Sequence, residues 1–300
     1  MGLVIDSKKM PAISRLFLAI LFCFTASSLT FGQAQVCPTR PAAGSVVADP
    51  VLLSSQHGAL TLNLTMVNSP NAEGVMEYCY LYGNAGAEAP TLMVNPGDVL
   101  TINLTNHLTA SGTASAMDMT PEFHMTAAAA AGGSNPCLGG TMTSTSTNIH
   151  FHGLNIPPVC HQDDVIRTSI DANAPPFQYK IQIPANEPAG LYWYHPHPHG
   201  YTKTQVIGGA SGALIVGGEE KFAPEISNLP QRVLVIRQQL TPNGSDESSI
   251  LSLNFVPYQE NLYARILTKP SEKPLWRILN STSTQFLQLQ LLNQGSPTKF

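Results

Sequence analysis

Charge is scarce in this chain: Asp, Glu, Lys and Arg make up only 11% of the 300 residues, and the formal net charge is -4. No basic stretch is dense enough to grip phosphates, which excludes a nucleic-acid-binding surface. Long apolar runs are missing as well. LFLAILFCF, from Leu16 to Phe24, falls far short of the ~20 residues that a membrane-spanning helix needs, so no membrane span is expected. No segment before Lys221 holds a helical period, which argues against an α/β fold. Cysteine is limited to five residues, with none after Cys160 and no CxxC string, and no histidine follows His199.

What is present begins with an export signal. Lys8, Lys9 and Arg15 precede the apolar run, and Gly32-Gln33-Ala34 follows it. This is the layout of a secretory signal peptide over residues 1–34, with cleavage expected after Ala34, and it predicts a secreted or periplasmic protein. Cleavage leaves Cys37, Cys79, Cys137 and Cys160. An even count in an exported chain favours two disulfides over free thiols or metal ligands, although three pairings are open. Cys137 and Cys160 flank one short stretch, so the expected pairs are Cys137–Cys160 and Cys37–Cys79.

From Ser45 the chain reads as short strands between turns, rich in its 23 glycines and 24 prolines. Gly58 to Val67 alternates apolar and polar residues, Val75 to Gly83 is aromatic, and Thr91 to Leu108 reads as strand, Pro-Gly turn, strand. Such spacing predicts an all-β sandwich or barrel. Residues 109–147 are rich in Ala, Ser, Thr and Gly and read as a long surface loop; Met117, Met119, His124 and Met125 in it carry no assignment. A polar connector, Glu219 to Arg232, precedes a further strand, and the stretch through PLWRILNSTSTQFLQLQLL again alternates like sheet.

Five of the nine histidines fall in two strings, His150-Phe151-His152-Gly153 and His195-Pro196-His197-Pro198-His199-Gly200. Side chains two apart on a strand share a face, so each HxH string presents two imidazoles side by side. Two such strings on neighbouring strands would gather four imidazoles around one small volume. Neutral imidazole binds copper, zinc, iron and nickel, so the pattern predicts a metal before it predicts which. Pro196 and Pro198 cannot donate to a strand ladder, which places their segment at a strand end or edge.

TNIHFHGLNIPP, followed by GLYWYHPHPHGYTKTQVIGGASGALIV, resembles the first domain of multicopper oxidases, the laccase-like enzymes. LMVNPGDVLTINLTN resembles the family's preceding strand-turn-strand, and PLWRILNSTSTQFLQL part of its second domain. The resemblance implies a cupredoxin-like Greek-key β-sandwich over residues 45–218, a linker over 219–232 and an incomplete second cupredoxin domain over 233–300. It also implies a trinuclear copper site: His150 on the type 2 ion, His152 and His195 on one type 3 ion, and His197 on the other. His199 stays outside that set. Asp163 or Asp164 resembles the acidic residue that assists proton delivery, against the alternative of a solvated loop. The implied partners are dioxygen and a small phenolic, aromatic or metal-ion reductant.

The sequence also departs from the family. The family's type 1 copper site needs a Cys thiolate with two His, and its Cys lies in an HCH string that completes the trinuclear site; neither occurs in these residues. The expectation is an oxidase by descent whose missing C-terminal cupredoxin domain completes the site. The alternative is a truncated, non-catalytic periplasmic copper-binding protein. A zinc hydrolase on the same imidazoles is a weaker reading, since no HExxH-like string occurs.

Overall fold

Alternation in the sequence becomes pleat in the structure. The computed structural model describes residues 35–83, 86–110, 135–242, 249–293 and 296–297. The expected signal peptide and the Met-bearing stretch from Met117 to Met125 lie outside them. Gln35–Phe300 forms one unit. Its first sheet has the order β1 (Leu52–Ser54), β5 (Thr91–Val94), β10 (Gly212–Val216), β9 (Gly190–His195), β7 (His150–His152). The second has the order β4 (Ala87–Glu88), β3 (Met76–Tyr82), β2 (Ala59–Pro70), β6 (Val99–Asn106), β8 (Phe177–Gln182).

Every second residue of β2, β6 and β8 points inward: Leu60, Leu62 and Leu64, then Leu100, Ile102 and Leu104, then Phe177, Tyr179 and Ile181. They meet Leu92, Val94, Phe151, Tyr194, Leu214 and Val216 of the facing sheet in one apolar core. The result is a β-sandwich, as the alternation predicted. The strand β10 differs, because all five of its residues are buried. Its other face, Ala213 and Ile215, packs on Val233, Val235 and Leu279. Burial on both faces explains why GALIV is an uninterrupted apolar run.

Val233 and Val235 belong to a third sheet with the order β13 (Val256–Pro257), β12 (Ile250–Leu253), β11 (Gln231–Gln239), β14 (Leu275–Asn280). The connector before it is two 3₁₀ turns, Glu219–Lys221 and Pro224–Ile226, with Glu219 ion-paired to Arg277 of β14. Residues 46–49 bind this third sheet: Val46 bridges Arg265, and Asp49 pairs with Arg232 at 2.7 Å. Arg237 of β11 is fully buried, lies 4.1 Å from the Phe255 ring centroid, and is pushed down to about 10 by burial.

The helix α1 (Thr202–Ile207) lies before Lys221 without contradicting the missing helical period there: at six residues it is too short to show one, and the sandwich, not its own sequence, stabilises it. One expectation needs correction. The alternation after Asn280 does not produce continuous sheet. Among the described residues after β14 only β15 (Leu292–Asn293) pairs, with β16 (Ser296–Pro297), while Phe286 stands fully exposed. Alternation builds a strand only where a neighbouring strand accepts its hydrogen bonds.

Both expected disulfides are present. Cys37–Cys79 and Cys137–Cys160 have Cα separations of 5.7 and 5.4 Å, within the range a disulfide can bridge.

Candidate metal centre

The antiparallel pairing of β7 with β9 sets His150 directly opposite His195, and His152 opposite Trp193. Directly opposed residues are the nearest cross-strand neighbours on a sheet face, and the His150 and His195 rings lie 5.2 Å apart between centroids. His152 sits 5.6 Å from His150 and 6.1 Å from His195. Past the end of β9, where the prolines stop the ladder, His197 turns back to within 5.4 Å of His150 and 5.9 Å of His195. The structure therefore brings together all four sequence-predicted imidazoles. His199 is exposed, 6.0 Å from His197, with its backbone N–H donating to the Met142 sulfur at 2.9 Å.

The glycine that follows the first HxH string has a local cause. Gly153 adopts φ +96°, and a Cβ there would come within 3.0 Å of the Tyr192 ring; only glycine turns the chain off β7 at this point.

Outer contacts orient the rings. His150 Nδ1 donates to both carboxylate oxygens of Asp163, at 2.9 and 3.0 Å, and the Phe151 N–H donates to the same group at 2.9 Å. The Nε2 lone pair of His150 is thus the free one. His195 Nδ1 donates to the Pro196 carbonyl at 2.9 Å, which again leaves Nε2 free. That Nε2 is buried without a protein partner, as is Nδ1 of His197. Burial pushes His195 down to about 3, and burial first, then neighbouring imidazoles, also lowers His152 and His197. Neutral rings with unshared lone pairs are what a metal ion requires. The donor set fits a borderline ion such as copper.

The two candidate acids separate. Asp163 holds His150. Asp164 is buried and turned elsewhere, accepting from the backbone N–H and Nε of Arg167 at 3.2 and 2.8 Å.

Two contributors were not legible as site residues. Asn148 is fully buried between the site's three segments: its Oδ1 accepts from the His197 N–H at 2.7 Å, and its Nδ2 donates to the Thr168 carbonyl at 2.9 Å. The phenol of Tyr80 donates to its backbone carbonyl at 2.9 Å. Trp193 stacks on His195 at 4.1 Å and lies 5.3 Å from His152. Asn148 stands two residues before His150, but nothing in the sequence distinguishes it from any polar residue. An open cleft of about 490 Å³ reaches the imidazoles, bounded by Trp193 on one side and Thr282 and Ser283 on the other.

Similarity to known proteins points the same way. Residues 141–221 match the family model described as multicopper oxidase. The protein named multicopper oxidase mco, from Staphylococcus epidermidis, is 26% identical over 164 residues, covering 50% of this chain and 34% of that protein. A crystal structure of a variant of the McoA multicopper oxidase from Aquifex aeolicus superposes with a TM-score of 0.53 at 17% identity, covering 85% of this chain and 50% of the other. The laccase from Pediococcus acidilactici superposes at 0.50 with 15% identity, over 84% and 49% of the two chains. These superpositions identify the fold as cupredoxin-like. The chain spans about a third of the curated relative's length and about half of each solved structure.

Proposed function

We propose, starting from a chain that belongs to the multicopper oxidase family, that residues 45–218 are a first cupredoxin domain holding four ligands of a trinuclear copper site. Residues 219–232 are then its linker and 233–300 part of a second such domain. The observation that carries the reading is the register His150↔His195, which gathers both HxH strings onto one sheet end. In this assignment His150 serves the type 2 ion, His152 and His195 one type 3 ion, and His197 the other. The activity is oxidation of a phenolic, aromatic or metal-ion reductant coupled to reduction of dioxygen to water. Copper, when bound, supplies the one-electron steps and the open positions for dioxygen.

The chain's own residues do the rest. Asp163 keeps the proton on His150 Nδ1, so Nε2 faces the ion, and its carboxylate stands beside the site as a proton carrier. Asn148 holds the backbone of His197 against β7. Trp193 covers His195 and narrows the route of water from the cleft. The electron-donating type 1 site is no part of the proposal for these residues. The disulfides and the expected leader support an oxidising, exported setting. Among the described residues no helix is long and apolar enough to cross a membrane.

The test is copper titration of the metal-free protein, followed by equilibrium dialysis and electron paramagnetic resonance. His150→Ala with His195→Ala is expected to abolish tight binding; unchanged stoichiometry would place the site elsewhere. In the oxidised protein no intense thiolate-to-copper absorption is expected, since Cys37, Cys79, Cys137 and Cys160 are all disulfide-bonded. Oxygen uptake gained when a C-terminal cupredoxin domain is joined to these residues supports the oxidase reading; tight copper binding with no uptake in that longer protein favours the second reading, a copper-holding protein of the periplasm.

A further inference from the structure

Away from the imidazole cluster, one donor atom from each of Cys137, Cys160 and His161 lies within 4.8 Å of the other two. The sulfurs are joined in the oxidised protein. We propose that this trio is a second metal site, gated by redox state: reduction of the Cys137–Cys160 bond opens a Cys₂His site for one cuprous ion, and oxidation closes it.

The argument rests on how the three residues are held. Cys137 lies in the 3₁₀ turn Pro136–Leu138, where its N–H donates to the Asn135 side chain at 3.1 Å. The Pro136 carbonyl beside it accepts from Ser169 at 3.0 Å. On the other side His161 is fixed to β8 three times over. Its carbonyl accepts from the Lys180 N–H at 2.8 Å, its Nδ1 donates to the Gln178 carbonyl at 2.6 Å, and its ring stacks on Phe177 at 4.7 Å. None of these contacts depends on the sulfur–sulfur bond, so breaking it leaves the two backbones and the His161 ring in place while the sulfurs swing apart about their Cα–Cβ bonds to non-bonded distance. Because Nδ1 carries the proton, the Nε2 lone pair is free. The ring is exposed and the two cysteines are half-buried, so reductant and ion have access. An exposed histidine with three restraints and a ring nitrogen within 4.8 Å of two sulfurs is more order than a disulfide alone requires.

Two thiolates and one imidazole favour a soft ion, and a three-donor set suits cuprous copper better than tetrahedral zinc. The chemistry balances with a thiol reductant. Two RSH reduce the disulfide to two cysteine thiols and leave as RS–SR; ligation of Cu(I) then releases both thiol protons to solvent. Reoxidation by a disulfide oxidant reverses the sequence and expels the ion. The site lies on the loop that carries Asp163, two residues beyond His161.

The experiment uses the full chain, oxidised or reduced anaerobically with a phosphine, titrated with Cu(I) held by a chromophoric chelator. The reduced protein is expected to take one more equivalent than the oxidised protein, and this difference cancels any copper on the imidazole cluster. Cys137→Ser with Cys160→Ser, which keeps the Cys37–Cys79 pair, is expected to lose the extra equivalent. His161→Ala in the otherwise intact chain is expected to keep it with roughly tenfold weaker affinity. Equal uptake by both redox forms overturns the proposal. So does an extra equivalent that survives the double serine variant, or unchanged affinity in His161→Ala.

Discussion

Asp163 and Asp164 are adjacent in sequence, yet each answers to a different partner. Asp163 fixes His150 through Nδ1 and ties down the Phe151 N–H, whereas Asp164 caps Arg167. Asp163→Asn removes the charge that holds the ring's proton in place, and is expected to weaken copper binding by roughly 10- to 100-fold. Asp164→Asn should leave copper affinity unchanged and lower only thermal stability; dialysis of both variants side by side checks the pair. Asn148→Ala strips the His197 N–H and the Thr168 carbonyl of their shared buried partner. It should cost about 1–3 kcal/mol in urea unfolding and weaken copper binding as well, while Asn148→Asp restores the acceptor but not the donor. The juxtaposition of His150 and His152 was legible because HxH spacing on a strand encodes a shared face; His197 joins them by a turn past the end of β9, which that spacing does not encode. The choice between the two aspartates was not, since only the turn from Pro157 to Asp164 decides which carboxylate meets β7.

At the scale of elements, β7 is only three residues long, too short to hold two metal ligands by its own ladder. Phe151 anchors it. The two histidines face the site while Phe151, pointing the other way, is fully buried against Tyr179 at 5.9 Å between ring centroids. Phe151→Ala is therefore expected to cost roughly 3–5 kcal/mol, and Phe151→Leu much less. Denaturant midpoints and copper affinity measured on both variants separate stability from ligation. A cheap Phe151→Ala would mean that β9 alone positions the site. Strands with both an alternating pattern and a partner were readable in advance: β6 falls within its expected stretch, and β2 overruns its own only at Asn68–Pro70. The region after Asn280 alternates equally well, but among the described residues it has no partner strand over most of its length, and pairing is a property of two segments that one cannot announce. The helix α1 was hidden for the same reason, because its restraints come from Gln205 bonded to Thr147 and Ser146 across the chain.

For the whole molecule, the buried imidazole of His195 makes stability depend on pH. His195 carries an ordinary value of 6.5 in the unfolded chain and about 3 when folded. Above pH 6.5 it is neutral in both states and contributes no pH dependence. Below 6.5 the unfolded chain takes up a proton that the folded ring refuses until about pH 3, so the folded state loses ground across that window. The slope from His195 alone is about 1.4 kcal/mol per pH unit, and His152 and His197 are displaced in the same direction. Glu77, whose carboxyl is pushed up chiefly by burial, acts in the opposite sense above its ordinary 4.5, and the interval to test is the upper part of the histidine window, pH 6.5 to 5. Urea unfolding of the metal-free protein across it should show stability falling steadily with acidification, and His195→Asn should flatten the fall. Copper stabilises only the folded chain, and ligation needs neutral rings. The folded His195 ring is already neutral throughout pH 7.5 to 5, so the gap between metal-bound and metal-free stability should narrow in His195→Asn at every pH of that range, and a gap unchanged by the substitution would remove His195 from the ligand set.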